Sequence, residues 1–206
     1  MFNDRYGLTQ AVLDGRKTQT RRIISERLWN RWTEYDGSCC PVGVSGLSAY
    51  RVYYDCAKFF LDNSPYHVGE VVAVAQRYSD FMEADKVLYR TVKEVDGYRR
   101  ELASEQKGWN NKLFVCADLM PHRIHITDVR VERLQDICWD DCFKEGIYIH
   151  DEDPMNPQAY LYAFPNSPEV YYHPREAYAA LIDKISGRGT WESNPYVFVY
   201  TFELVK

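Results

Sequence analysis

Eight consecutive residues, Gly15-Arg16-Lys17-Thr18-Gln19-Thr20-Arg21-Arg22, hold four cations and two hydroxyls between an apolar-periodic run and the apolar pair Ile23-Ile24. Cations this close repel one another, so a folded domain keeps them solvated or supplies an anion. Lys17 and the arginines Arg16, Arg21 and Arg22 offer donors to a phosphate or to the polar edge of a base. Thr18 and Thr20 offer hydroxyls that donate or accept. Gly15 can take the positive φ that ends a preceding helix. The same stretch also reads as a helix cap followed by a basic edge strand, whose charges discourage edge-to-edge pairing. In a regular strand, side chains three apart point to opposite faces. Any cooperation between Lys17 and Thr20 therefore requires a turn, bulge or twist after Gly15.

The elements that must position this stretch follow from periodicity. Leu8, Ala11 and Val12 fall at helical spacing, so residues 3–14 read as a helix with Asn3 as its N-cap and Gly15 as its end. Residues 25–66 are too long for a structureless loop and should contain short elements. Within them, residues 50–54 read as a strand and 57–61 as a helical turn. Residues 68–78 and 86–95 read as strands, the second followed by an Asp96-Gly97 hairpin turn and a strand over 98–102. Residues 122–134 alternate apolar and polar, a long strand with a bulge near Asp128.

Asp136 can cap a short helix over 138–145, which Gly146 ends. Residues 150–173, rich in Pro, Asn, Asp and Tyr, read as an exposed insertion. Pro174 stands where a first helical residue would, before an amphipathic helix over 177–185 closed by Gly187. Residues 196–205 form a last strand. Strands that do not alternate regularly with helices argue against a doubly wound sheet and for an α+β fold, a small β-barrel or curled sheet decorated by helices.

The chain of 206 residues is long enough for one domain with its own core, and needs no metal or disulfide staple on grounds of size. A net charge of −5 excludes coating nucleic acid by bulk charge, leaving only a local basic patch. Seventeen tyrosines suit a ligand-facing surface as well as a core. No apolar run reaches membrane-span length and no signal peptide opens the sequence, so a cytoplasmic protein with free thiols is expected. Cys39-Cys40 and Cys138/Cys142 lack zinc spacing, and His122 with His125 lacks a third ligand. The phosphate-binding loop, dinucleotide glycine fingerprint, zinc-protease motif and nucleophile elbow are all missing. No cofactor or metal is expected.

The stretch from Ala11 to Arg22 resembles the signature of the ASCH superfamily: Gly15, then Lys17, then Arg22. Three further segments agree. Val68-Gly69-Glu70-Val71-Val72-Ala73-Val74 is similar to the family's second strand. Thr127 to Ile137 and Lys144-Glu145-Gly146-Ile147 are similar to its central strand and short helix. Gly189 to Val199 is similar to the closing segment of phage and prophage members. The intervening residues 25–66, 79–119 and 150–173 look like elaborations of a single domain spanning 1–206.

The resemblance implies a PUA-like small β-barrel that binds RNA or a nucleotide- or nucleoside-like ligand in a cleft lined by the signature. Some small members hydrolyse N4-acylated cytidines with a lysine, a threonine and a glutamate; carried over, these are Lys17, Thr20 and Glu145. Where phage-type members often carry Arg-Glu, this chain has Ala75-Gln76 before Arg77, and Gln76 cannot titrate. A lysine whose pKa is lowered by burial or by neighbouring cations can take a threonine proton, and a glutamate can then protonate a leaving amine.

Two main readings follow. In one, a basic cleft binds RNA or a nucleoside through Gly15, Arg16, Arg21, Arg22, Gln76, Arg77 and Tyr78, with Trp29, Trp32 or Tyr78 stacking on bases. In the other, the protein is an amidohydrolase using Lys17, Thr20 and Glu145. A third is a protein-interaction module that uses the aromatic insertion at 150–173.

Overall fold

The computed structural model describes residues 2–39, 49–81 and 107–205. Its centre is a curled four-stranded antiparallel sheet, a half-barrel, in the order β1-β6-β3-β2. The strands are β1 (Gln19–Ile23), β2 (Val71–Ala73), β3 (Arg123–Arg133) and β6 (Tyr196–Val205). The fold is therefore α+β. A separate two-stranded hairpin joins β4 (Tyr148–Asp153) to β5 (Asn156–Ala163), mostly within the segment 150–173 expected to be an exposed insertion.

β3 and β6 pair along nearly their whole length, with one register shift between Ile126 and Asp128, where the sequence suggests a bulge. An extra residue there bends β3 and helps the sheet curl. The centre of β6 is buried on both faces, because helices cover each. Phe198, Tyr200 and Phe202 point to the concave side. Leu28 and Trp32 of α2 (Glu26–Cys39) and Phe60 of α3 (Ala49–Asp62) belong to the same apolar core. Val197 and Val199 point the other way, towards α5 (Trp139–Lys144) and α6 (Pro174–Ser186), whose core residues include Cys142, Tyr178 and Leu181.

Residues 25–66 contain two helices rather than a strand. The expected strand at 50–54 is part of α3, and 57–61 continues the same helix. Its valine and tyrosines favour strands only weakly, and a helix that packs Phe59 and Phe60 against Trp32 overrides them. The first helix, α1 (Leu8–Leu13), is shorter than expected. Its cap is Gly7 in the left-handed region, and Asn3 instead accepts a hydrogen bond from the Arg5 backbone. Only Val71–Ala73 of the strand expected at 68–78 is extended in the sheet. α6 does begin at Pro174, and β6 has the expected bounds. Between β2 and β3 lies α4 (Lys107–Asn110), and α7 (Thr190–Ser193) precedes β6. The hairpin expected over 86–102 lies outside the described residues.

Candidate functional site

The link between α1 and β1 fixes the geometry of the basic stretch. Gly15 turns the chain with φ of 73°. The Lys17 amide then donates to the Ala11 carbonyl, and the Thr18 amide to the Lys144 carbonyl, each across about one helix end. The segment is thereby laid over the C-terminus of α5 before the strand begins at Gln19. Lys17 sits outside the regular strand, so strand alternation does not oppose it to Thr20.

Lys17 is buried and its ammonium closes the end of α5. It donates to the Glu145 carboxylate (Nζ–Oε2 2.6 Å), to the Glu145 carbonyl oxygen (2.8 Å) and to the Gln19 carbonyl oxygen (2.7 Å). A cation at a helix C-terminus is favourable, and here it also satisfies an otherwise orphaned carbonyl. Gly146 follows with φ of 104°, a conformation that suits glycine and releases the chain from the helix towards β4.

Arg21 lies beside this pair with no exposed side-chain surface. Its guanidinium donates to Glu145 Oε1 (3.1 Å), Gln19 Oε1 (2.8 Å), Glu132 Oε1 (2.6 Å) and Asp141 Oδ2 (3.0 Å). Arg130 and Lys144 flank the outer side through Asp141, at 2.5 and 3.1 Å. Burial pushes the Lys17 pKa down; Glu145 opposes this, and the result lies below the ordinary lysine value. Burial alone would raise Asp141, but hydrogen bonds from Lys144 and Arg21 outweigh it and hold its carboxyl below the usual range.

The expected open basic patch is thus not what Lys17 and Arg21 form. Both are inside, and each is neutralised by carboxylates from β3 or from the α5 region. Buried ion networks add little stability over a well-packed apolar core, so their presence points to a role in positioning or chemistry.

A cavity of about 640 Å³ opens along the free edge of β1. Lys17, Thr20, Arg21, Arg22, Arg77 and Glu145 all line it, with Phe2, Tyr178 and Lys112. Thr20 and Arg21 lie on opposite faces of β1, yet both reach the cavity because β1 is an edge strand. No hydrogen bond joins Lys17 to Thr20, since the ammonium is committed to Gln19 and Glu145. Arg77 and Lys112 are held by Asp80 at 3.0 Å and Asp4 at 2.7 Å. Lys112 also bonds the Phe2 carbonyl and Thr9, pinning the N-terminal segment beside the cavity.

A second cavity of about 450 Å³ fills the concave side of the sheet. It is lined mainly by apolar groups, including Val72, Ile124, Ile126, Phe198 and Phe202, and shares Phe2, Thr20, Arg22 and Ile23 with the first. The Arg22 guanidinium lies 6.0 Å above the Phe2 ring at this junction.

The remaining residues expected in the site lie elsewhere. Gly15 is exposed at the turn, and Arg16 is exposed and paired with Asp14 at 2.9 Å. Gln76 is buried with its Oε1 2.8 Å from His122 Nδ1. Tyr78 is buried, and its hydroxyl accepts from the Cys116 amide at 2.7 Å. Trp32 is buried and Trp29 is stacked between Phe60 and Tyr196, so neither offers an open face to a base. Among the described residues no group of three or more His, Cys, Asp and Glu is placed to hold a metal. Of the cysteines noted in the sequence, Cys142 is a buried free thiol, pushed up to about 12 by burial, and Cys138 is an exposed one.

Sequence reasoning missed Glu132, Asp141 and Tyr178. Asp141 could have been found, because it stands four residues before Glu145 and shares its helix face. Nothing distinguishes Tyr178 among the tyrosines until the fold places it. No family model, curated protein or solved structure matches the chain.

Proposed function

We propose that the cavity beside β1 is the active site of a hydrolase acting on a small uncharged amide of the N4-acylcytidine type. In this reading Thr20 is the nucleophile, Lys17 the base and Glu145 the acid, and the half-barrel is a PUA-like barrel of the ASCH superfamily. One observation carries it: the buried Lys17–Glu145 pair, 2.6 Å apart, forms a wall of the same cavity that Thr20 lines.

The proton movements follow from that pair. Transfer along the short bond leaves a neutral Lys17 amine and a protonated Glu145, a shift that burial of the lysine makes easier. As a ligand enters, the amine turns from Glu145 towards Thr20; catalytic hydrogen bonds are often loose in unliganded proteins. The Thr20 oxygen bonds to the amide carbon while Lys17 takes the hydroxyl proton. The C–N bond breaks as Glu145 gives its proton to the leaving nitrogen. Water then attacks the threonyl ester and passes a proton to Glu145, while Lys17 returns its proton to the Thr20 oxygen. The apolar cavity next to Thr20 offers room for the acyl group.

A cleft for single-stranded RNA draws less support, because the stacking aromatics are occupied and the cavity's Lys17, Arg21, Arg77 and Lys112 are all paired with carboxylates. The hairpin β4–β5 does expose Ile149, Met155 and Tyr160, but it lies apart from the residues of the cavity. Among the described residues no helix is long and apolar enough to cross a membrane.

The test is to incubate the protein with a panel of N4-acylcytidines and with short RNAs, reading release of the acyl group and binding together. Release from at least one acylcytidine is expected, with weak RNA binding that varies little with sequence. Tight RNA binding without any release overturns the hydrolase.

A further inference from the structure

Tyr178 occupies an unusual position in this cavity. It stands on α6, is 2% exposed and lines the cavity beside Arg21 and Glu145. Its hydroxyl is buried and has no hydrogen-bond partner. The Arg21 guanidinium lies 6.0 Å from the ring centre, but its donors are spent on Gln19, Glu132, Asp141 and Glu145. Most buried side-chain polar groups in folded proteins are hydrogen-bonded, so an orphaned phenol on a residue that lines a cavity marks the place of a missing partner. A fold gains nothing from burying this oxygen: phenylalanine would fill the same space without it.

We propose that the Tyr178 hydroxyl recognises an uncharged carbonyl oxygen of the ligand, so that the site takes a neutral carbonyl-bearing heterocycle rather than a phosphate. The phenol is a donor. Burial and the neighbouring Glu145 keep it protonated well above neutral pH, leaving its O–H free to point at an acceptor. The acceptor is neutral because Arg21, the cation beside the phenol, is already paired with carboxylates. Lys17 and Arg21 are neutralised by Glu145, Glu132 and Asp141, and Arg77 and Lys112 by Asp80 and Asp4. An anion placed against Tyr178 would meet the Glu145 carboxylate. A carbonyl oxygen gains a hydrogen bond there without that repulsion, and geometry selects ligands that carry one at this depth. The role rests on the cavity being the ligand site proposed above, but not on Thr20 being a nucleophile.

Binding of cytidine, which has a ring carbonyl and no scissile amide, is measured by calorimetry for the parent and for Tyr178→Phe, with inorganic phosphate as the anionic probe. Unfolding temperatures of both proteins are measured without ligand. The expected result is an unfolding temperature for Tyr178→Phe equal to or above the parent's, with cytidine bound about tenfold more weakly. Phosphate should bind neither protein measurably. Equal cytidine affinity in the two proteins overturns the role of Tyr178 and leaves the ligand site standing. A parent that binds no cytidine overturns the ligand site and the role together. A lower unfolding temperature for Tyr178→Phe shows that the phenol has a structural partner, and phosphate binding tighter than cytidine overturns the neutral ligand; either result removes the proposal.

Discussion

The Lys17 ammonium is bonded twice to one residue, to the carboxylate of Glu145 at 2.6 Å and to its carbonyl oxygen at 2.8 Å. Glu145 is thus held by both its side chain and its main chain. The two residues are 128 positions apart, and the bond ties the start of β1 to the end of α5. Removing one partner leaves a buried charge with too few counter-charges, whereas removing both does not. Lys17→Met should therefore destabilise the protein by on the order of 3 kcal/mol. Lys17→Met combined with Glu145→Gln should lose less than the sum of the single changes. Urea unfolding of the four proteins in this cycle measures the coupling, and simple additivity would show that the pair is not a unit.

The same pair sets the expected pH dependence of hydrolysis. Burial lowers the Lys17 pKa from its ordinary value of 10.5, so the neutral amine becomes accessible at lower pH than for a free lysine. The active form shares one proton between the two residues, so activity should fall as pH rises through that lowered pKa, below 10.5, when the pair loses the proton that Glu145 gives to the leaving nitrogen. Lys17→Arg keeps the charge but cannot act as a base in this range, and should abolish the activity. A Lys17→Arg protein with a parental pH–rate profile excludes lysine as the base.

Asp141 predicts behaviour in acid. Its carboxylate accepts from Arg21, Arg130 and Lys144, and its folded pKa lies below the ordinary aspartate value of 3.8. A depressed carboxylate pKa gives stability that is fully present above the unfolded value and is lost as pH falls through the folded one. Stability should fall from just above pH 3.8 downwards. Asp141→Asn should flatten that acid limb and lower stability at neutral pH by ~2–4 kcal/mol, as loss of one member of a buried ion network does. Unfolding free energy measured against pH for both proteins gives the comparison; identical slopes below pH 3.8 would falsify this assignment.

How far the sequence shows this site depends on what each residue's environment owes to local order. α6 and β6 are legible because Pro174, the amphipathic spacing and the β-branched run act locally. The bulge in β3 is legible for the same reason. The helix α3 is not, because its tyrosines and valine favour strands and only tertiary packing settles the matter. Lys17, Thr20 and Glu145 could be named from a resemblance, but the pairing of Lys17 with Glu145 depends on the Thr18–Lys144 backbone bond between distant segments. The same limit explains why Lys17 and Arg21 looked like part of an exposed patch. Their counter-charges Glu132, Asp141 and Glu145 lie more than a hundred positions away.

Gly146 supplies a test of the backbone that presents Glu145. Its φ of 104° is strained for any residue with a side chain. A Cβ there would touch Leu8 at 3.5 Å and the Lys17 side chain at 3.8 Å, ordinary contacts that add no clash. Gly146→Ala should therefore cost ~1–2 kcal/mol through backbone strain alone. It should also reduce hydrolysis more than a surface change of equal stability effect, because it moves the carboxylate against Lys17. Stability and rate measured on the same preparations separate the two, and an unchanged rate would show that the end of α5 tolerates displacement.

Thr20 decides whether the site performs chemistry. It is half-buried on an edge strand, and among the described residues no hydrogen bond to its hydroxyl is found. Thr20→Ala should thus leave stability within ~0.5 kcal/mol of the parent, since it breaks no contact that holds the fold. If the hydroxyl attacks the amide, the same change should reduce hydrolysis by ~10³-fold or more, as loss of a nucleophile does. Thr20→Ser keeps the hydroxyl and removes only a methyl group, so it should retain a measurable rate. Rapid quenching of the parent with an acylcytidine, followed by mass analysis of the peptide carrying Thr20, should show the acyl group on that residue during turnover. A Thr20→Ala protein that hydrolyses at the parental rate, with no acylated peptide in the parent, would place the attack on water and leave Lys17 and Glu145 as its activating pair.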